Sequence, residues 1–224
     1  LAIVRALHRE FPTLTYDVTI KVEHLRKHAA ALPVLAETGC LFVTSAVEAV
    51  DDRILALLDK GHTRADFYEV VRLCRQAGLA LAPTFVAFTP WTTPQGYRDL
   101  LAALAEMDLV EQVAPIQLAI RLLVPAGSRL LELEEVRRMV EGNFDQEALS
   151  YRWKHPDPRV DQLCAGVQLL VWRAERKEEP RAAIFEQVWE LACRAAGAPP
   201  PPARARPAPF ARASVPYLNE PWYC

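Results

Sequence analysis

The chain has 224 residues, 51% hydrophobic and 24% charged, a globular composition with length for one sizeable core plus an extension. Its formal net charge of -2 removes the electrostatic case for nucleic-acid binding or a polybasic membrane surface. No apolar run approaches the ~18 residues that span a bilayer and no secretory signal opens the chain, so a cytoplasmic protein is expected.

Val4, Leu7 and Phe11 share one helical face, and no capping residue precedes them. The first helix reads as one entered partway, and the chain is expected to be a fragment. Residues 15–23 are rich in β-branched side chains and predict a strand, followed by a helix over 25–37 disturbed at Pro33 and closed by Gly39. The nearly all-apolar run 40–46 predicts a strand buried on both faces, as parallel strands are. Asp51 and Asp52 open a short helix, and Thr63-Arg64-Ala65-Asp66 resembles a capping box for a longer one ending at Gly78. A strand is expected over 79–88, a helix from the Thr93-Pro94 start to about Met107, a fourth strand over 113–123 and a helix over 129–140. Alternating strands and helices mean parallel βα units, about four of them, too few for a closed eight-stranded barrel. The fold class is therefore α/β, a truncated or open barrel over 1–143. A polar connector with Trp153, His155, Pro156 and Pro158 then leads to two amphipathic helices, a helical extension over 144–197. The tail 198–224 carries Pro199 to Pro202 in a row and ends in an aromatic motif with Trp222, Tyr223 and Cys224.

Parallel βα units place functional residues at the C-terminal ends of their strands. Polar residues there are Lys21 and Glu23, then Thr44, Ser45 and Glu48, then Thr84 and Thr89 followed by Trp91, then Gln117 and Arg121. A charged group in such surroundings is costly unless it is paired or binds something. Glu48, Lys21 and Arg121 could equally pair with one another as structural ions. His24 and His28 have metal-chelating spacing but lie on a basic, solvated helix face, and His62 sits in a turn where capping serves as well as function. The five cysteines, Cys40, Cys74, Cys164, Cys193 and Cys224, form no C-x-x-C pair, which argues against a disulfide scaffold or a self-contained zinc or iron–sulfur site. Cys40 and Cys74 are expected to be buried packing residues. From these residues alone an ordinary lyase or isomerase, or a non-catalytic binding module, remains open.

The run Gly39-Cys40-Leu41-Phe42-Val43-Thr44-Ser45-Ala46-Val47-Glu48, then Asp52-Arg53-Ile54-Leu55, then Leu58-Asp59-Lys60-Gly61-His62-Thr63, resembles the middle of radical S-adenosylmethionine proteins. Cys74-Arg75-Gln76-Ala77-Gly78 with Thr84-Phe85-Val86 fits the next unit, and Val124-Pro125-Ala126-Gly127-Ser128 is similar to the Pro-x-x-Gly-Thr loop of that family. Two departures are Ala49, where a serine is common, and Thr89-Pro90-Trp91-Thr92 in place of a Gly-Phe-Pro-Gly loop. The wording Asp17-Val18-Thr19-Ile20-Lys21-Val22-Glu23 and the tail Pro216-Tyr217-Leu218-Asn219-Glu220-Pro221-Trp222-Tyr223-Cys224 resemble the subfamily whose chains end in Cys-Sec-Ala-Glu-Pro or Cys-Cys-Ala-Glu-Pro, selenoproteins among them.

The resemblance implies the C-terminal part of a partial (β/α)6 barrel, with the cluster-binding cysteine motif upstream of Leu1 and selenocysteine or cysteine, then Ala-Glu-Pro, after Cys224; a selenocysteine codon read as a stop is the expectation there. It implies a parent enzyme that cleaves S-adenosylmethionine reductively at a four-iron, four-sulfur (4Fe-4S) cluster, giving a 5′-deoxyadenosyl radical. This fragment, without the cluster motif, is expected to be inactive. A reductant such as ferredoxin or flavodoxin and a substrate of unknown identity are the implied partners, and cobalamin an implied further cofactor. Ser45 and Glu48 match positions that would contact the ribose or methionine part of S-adenosylmethionine. Thr84, Gln117 and Arg121 would serve the adenine and carboxylate, Lys21 is a further cofactor-binding candidate, and Cys224 would be part of a redox or metal-ligating tail.

Overall fold

A computed structural model describes residues 1–199. The proline-rich tail with its terminal aromatic motif and Cys224 lies outside the described residues. The described chain divides into two compact units, one of Leu1–Phe85 with Leu100–Ala114, the other of Val86–Asp99 with 115–199.

The first unit is an α/β layer. Strands β1 (Tyr16–Thr19), β2 (Cys40–Glu48) and β3 (Ala80–Phe85) form a parallel sheet in the order β1-β2-β3. The strand expected over 15–23 is shorter, because Lys21 already caps helix α2 (Val22–Lys27) and Glu23 falls in its first turn. The helix expected over 25–37 is broken into α2, a 3₁₀ turn at Ala29–Ala31 and α3 (Leu32–Glu37), with Pro33 in the first turn of α3, where its missing N–H does no harm. Helix α1 (Ala2–Glu10) precedes β1 and buries none of its residues.

Local chemistry sets the helix starts. The Asp51 carboxylate accepts from the Arg53 and Ile54 N–H groups and opens α4 (Asp52–Leu57). Thr63 and Asp66 cap α5 (Arg64–Gln76) reciprocally, Thr63 Oγ1 accepting from Asp66 N at 3.2 Å and Thr63 N donating to Asp66 Oδ2 at 2.9 Å. Helix α5 buries Phe67, Val70, Val71 and Cys74, and Phe67 meets Phe85 of β3 edge-to-face at 6.1 Å. Each such buried side chain contributes about 1.5–3 kcal/mol.

Side chains alternate across the sheet. Val43, Ser45 and Val47 pair with or follow Leu81 and Pro83 on the face toward Phe85, and all three are fully buried. Thr44 and Ala46 share the other face with their ladder partners Ala82 and Thr84, and Thr19 lies beside Thr44. Near the strand ends this second face is half-buried or exposed and carries only small side chains.

The second unit differs from expectation at two places. No strand spans 113–123: 3₁₀ turns occupy Val110–Gln112 and Pro115–Leu118, and β-pairing is reduced to one parallel bridge between Phe88 and Arg121. Pro115 fixes φ and lacks the N–H a ladder requires, which favours the turn over the strand. The connector after 139 is partly a hairpin, β4 (Val140–Asp145) antiparallel to β5 (Ser150–Trp153), which follows α7 (Glu134–Met139). Helices α8 (Pro158–Arg176) and α9 (Arg181–Ala195) follow as expected and pack together; α8 buries Val160, Leu163, Val167 and Val171, and α9 buries Ile184, Phe185, Val188 and Ala192. Tyr97, on helix α6 (Pro94–Glu106), is 1% exposed, stacks on Phe88 at 4.7 Å and donates to the Leu118 carbonyl at 2.9 Å. Among the described residues no helix is long and apolar enough to cross a membrane.

Two substitutions test these supports. Gly39 has φ 98°, and a Cβ there would stand 2.6 Å from the Leu14 carbonyl oxygen. Gly39→Ala is expected to destabilise the first unit by about 2–3 kcal/mol, read from urea unfolding followed by a probe in the sheet. Tyr97→Phe leaves the Leu118 carbonyl buried without its donor and is expected to cost about 1–2 kcal/mol in the same measurement on the second unit.

Candidate functional site

The C-terminal ends of β1, β2 and β3 gather several sequence-predicted residues. Ile20 N donates to the Thr44 carbonyl at 3.0 Å, which places Lys21 beside the end of β2. Thr84 faces Ala46 across the ladder, and Glu48 faces Phe85 after a register shift. Lys21, Ser45, Glu48 and Thr84 therefore lie at one edge of one sheet. Gln117 and Arg121 belong to the second unit.

The four are not equivalent. Lys21 is exposed at the start of α2 and Thr84 is half-buried on the small-residue face. Ser45 points to the opposite, helix-covered face, 0% exposed, and its Oγ has no hydrogen-bond partner among the described residues. Glu48 ends β2 with φ 69°, a left-handed backbone that costs a non-glycine residue about 1–2 kcal/mol. Its Oε1 accepts from Lys60 Nζ at 3.1 Å, and the two side chains are 21% and 22% exposed.

Sequence reasoning did not find Lys60 as that partner. Nor did it find why His62 is buried. His62 is 8% exposed, its Nδ1 stands 3.3 Å from the Lys60 carbonyl and its Nε2 is buried without a partner among the described residues. Because a carbonyl only accepts, Nδ1 carries the proton and Nε2 the bare lone pair. Burial holds the His62 pKa below its ordinary value; the Lys60 and Val47 carbonyls oppose this, the Lys60 charge adds to it and the Glu48 carboxylate opposes it. His62 is therefore neutral at pH 7. The signal available in the sequence was the Lys60-Gly61-His62 turn itself, whose Gly61 adopts φ 69°.

Arg121 is engaged elsewhere. Its Nη1 donates to Asp161 Oδ1 at 2.7 Å, its Nη2 to the Trp153 carbonyl at 2.8 Å, and its guanidinium lies 3.6 Å over the Trp153 ring. The expected alternative that Glu48, Lys21 and Arg121 pair with one another is thus replaced by Glu48 with Lys60 and Arg121 with Asp161. Gln117 is half-buried in the Pro115–Leu118 turn. The loop after Phe88 is closed on itself, Thr89 N donating to Thr92 Oγ1 at 2.9 Å, and Trp91 Nε1 donates to Glu135 at 2.5 Å.

The described cysteines are packing groups. Cys40 and Cys74 are buried as expected, and burial pushes their thiols up to about 11 and about 12. Cys164 is also raised by burial, partly offset by Arg121. Among the described residues no three His, Cys, Asp or Glu side chains are grouped to hold a metal ion.

No protein-family model matches the chain, and no curated protein matches its sequence. Solved structures do resemble it. The cobalamin-dependent S-adenosylmethionine radical enzyme OxsB with aqua-cobalamin bound matches with a TM-score of 0.65 and 13% identity, over 77% of this chain and 31% of that one. The same enzyme with aqua-cobalamin and S-adenosylmethionine bound gives the same values, 0.65, 13%, 77% and 31%. The radical S-adenosylmethionine methyltransferase TsrM from Kitasatospora setae overlaps 48% of the chain and 22% of its own, at 22% identity and a TM-score of 0.40. The chain spans under a third of OxsB, 31%, and shares its fold over that span. Its fold is distantly similar to that of cobalamin-dependent radical S-adenosylmethionine enzymes.

Proposed function

We propose that this chain is the C-terminal part of a radical S-adenosylmethionine enzyme, of the kind with a Cys-Sec-Ala-Glu-Pro or Cys-Cys-Ala-Glu-Pro tail, and that it supplies part of the S-adenosylmethionine cradle. One observation carries the reading: a strained carboxylate, Glu48, stands at the end of a parallel strand, just beyond the small ladder pair Ala46 and Thr84, in a fold shared with OxsB.

The residues present fit the ligand. S-adenosylmethionine offers hydroxyls, an ammonium, a carboxylate and a flat base. Small side chains at Thr44, Ala46 and Thr84 leave room above β2 and β3, and two of them are hydroxyl-bearing. The Glu48 carboxylate accepts from the ribose or methionine part, Thr84 donates from the neighbouring strand, and Lys21 provides a cation for a carboxylate. Ser45, on the covered face, keeps its proposed contact to the ribose or methionine part on the sequence resemblance alone. Gln117 and Arg121 are proposed for the adenine and carboxylate on the sequence resemblance alone. When bound, S-adenosylmethionine supplies a carbon–sulfur bond open to reductive cleavage. The described residues provide no ligand set for an iron–sulfur cluster, and none is assigned to cobalamin. Turnover in this reading belongs to a longer parent protein, with a ferredoxin- or flavodoxin-type reductant.

The test is binding, not turnover. Isothermal titration of the full chain with S-adenosylmethionine should give saturable one-site binding. Glu48→Gln, which removes a charge-assisted acceptor, should weaken it about ten- to a hundredfold. Absence of binding, or equal affinity in Glu48→Gln, would count against the reading.

A further inference from the structure

The left-handed backbone at Glu48 leaves its carboxylate dependent on whatever holds it. The side chain's ionic partner is Lys60, twelve residues on, with both groups about four-fifths buried, at 21% and 22% exposure. Lys60 is itself held from two sides. Its N–H donates to the Leu55 carbonyl at 3.1 Å, and its carbonyl accepts from His62 Nδ1 at 3.3 Å. Between them Gly61 makes the turn with φ 69°, near the Glu23 carboxylate, whose Oε2 would lie 3.6 Å from a Cβ at that position.

His62 belongs to this assembly and to no other part of the proposed cradle. One nitrogen closes the Lys60 turn and the other is buried bare. A second proton on that ring brings a charge into a buried site. The charged groups acting on it are Lys60 and Glu48.

We propose that Lys60 is a positioning residue that aims the Glu48 carboxylate, and that buried His62 fixes the Lys60 turn through its Nδ1–H. This role rests on the reading of Glu48 as a contact to S-adenosylmethionine. Because burial lowers the His62 pKa, the unfolded chain takes up that proton first, and acidification below 6.5 lowers the stability of the first unit.

Two readouts on the full chain test this. The first needs no ligand: the His62 imidazole is titrated by NMR. In the wild type it should titrate below 6.5 with the Nδ1–H tautomer above that pH. Lys60→Met or Lys60→Gln should raise its pKa, because the Lys60 charge lowers it, and Glu48→Gln should lower it, because the Glu48 charge raises it. A His62 titration that none of these variants moves overturns the coupling. The second is S-adenosylmethionine affinity by calorimetry. Lys60→Met and Lys60→Gln should weaken binding about tenfold and Lys60→Arg should restore most of it. His62→Ala, which removes the donor to the Lys60 carbonyl, should weaken binding severalfold, and His62→Gln, whose amide still donates, should recover most of it. If the ligand binds and the Lys60 variants bind as wild type, the positioning role is wrong and the cradle stands. If the NMR coupling appears and no variant nor the wild type binds, the cradle is wrong and the positioning role goes with it.

Discussion

The first unit depends on the β2 ladder. In its sheet β2 is the central strand, with β1 on one side and β3 on the other. Parallel pairing requires each strand to return through a crossover, so the helices that cover Val43, Ser45 and Val47 follow from the pairing itself. Both ends of β2 sit in left-handed backbone. Gly39 takes φ 98° because it has no Cβ, and the Leu14 carbonyl leaves no room for one; Glu48 takes φ 69° with a side chain that must be held. The entrance therefore serves folding, while the exit stores strain at a place where nothing in the ladder demands a carboxylate.

Two charged residues at strand ends, Glu48 and Arg121, show how differently such groups can be used. Arg121 satisfies its fork with a carboxylate and a carbonyl and lays its plane on Trp153, so its donors are largely committed to its own unit. The Glu48 carboxylate has Lys60 on one oxygen. A carboxylate accepts at about four lone-pair sites, and one lysine contact leaves acceptor capacity for a ligand.

Helix starts were legible in the sequence because their causes are local. The Thr63–Asp66 box, the Asp51 cap and the Pro33 break each act within four residues. The strand expected over 113–123 is absent because its apolar composition is shared by buried turns, and Pro115 is a lone signal among apolar residues. The hairpin Val140–Asp145 with Ser150–Trp153 was hidden by polar residues, since an antiparallel pair with exposed edges needs no continuous apolar run. In the site, strand-end position was readable from the βα alternation, and partners were not. Lys60 reaches Glu48 across α4, and Asp161 reaches Arg121 across forty residues. No local pattern encodes such pairs.

The finest distinction lies between residues three apart. Ser45 and Glu48 enter the sequence reading as equals, both near the end of β2. Alternation sends Ser45 to the covered face, and the register shift between Ala46 and Glu48, together with the positive φ, takes Glu48 out of that alternation. An extra backbone step at a strand end is a common means of re-aiming one side chain without disturbing those before it. Here it spares the buried stripe of Val43, Ser45 and Val47, which packs the sheet, and delivers one carboxylate to the Lys60 turn. The packing face and the C-terminal edge of β2 can therefore change independently, which is what a scaffold that presents different chemistry at its strand ends requires.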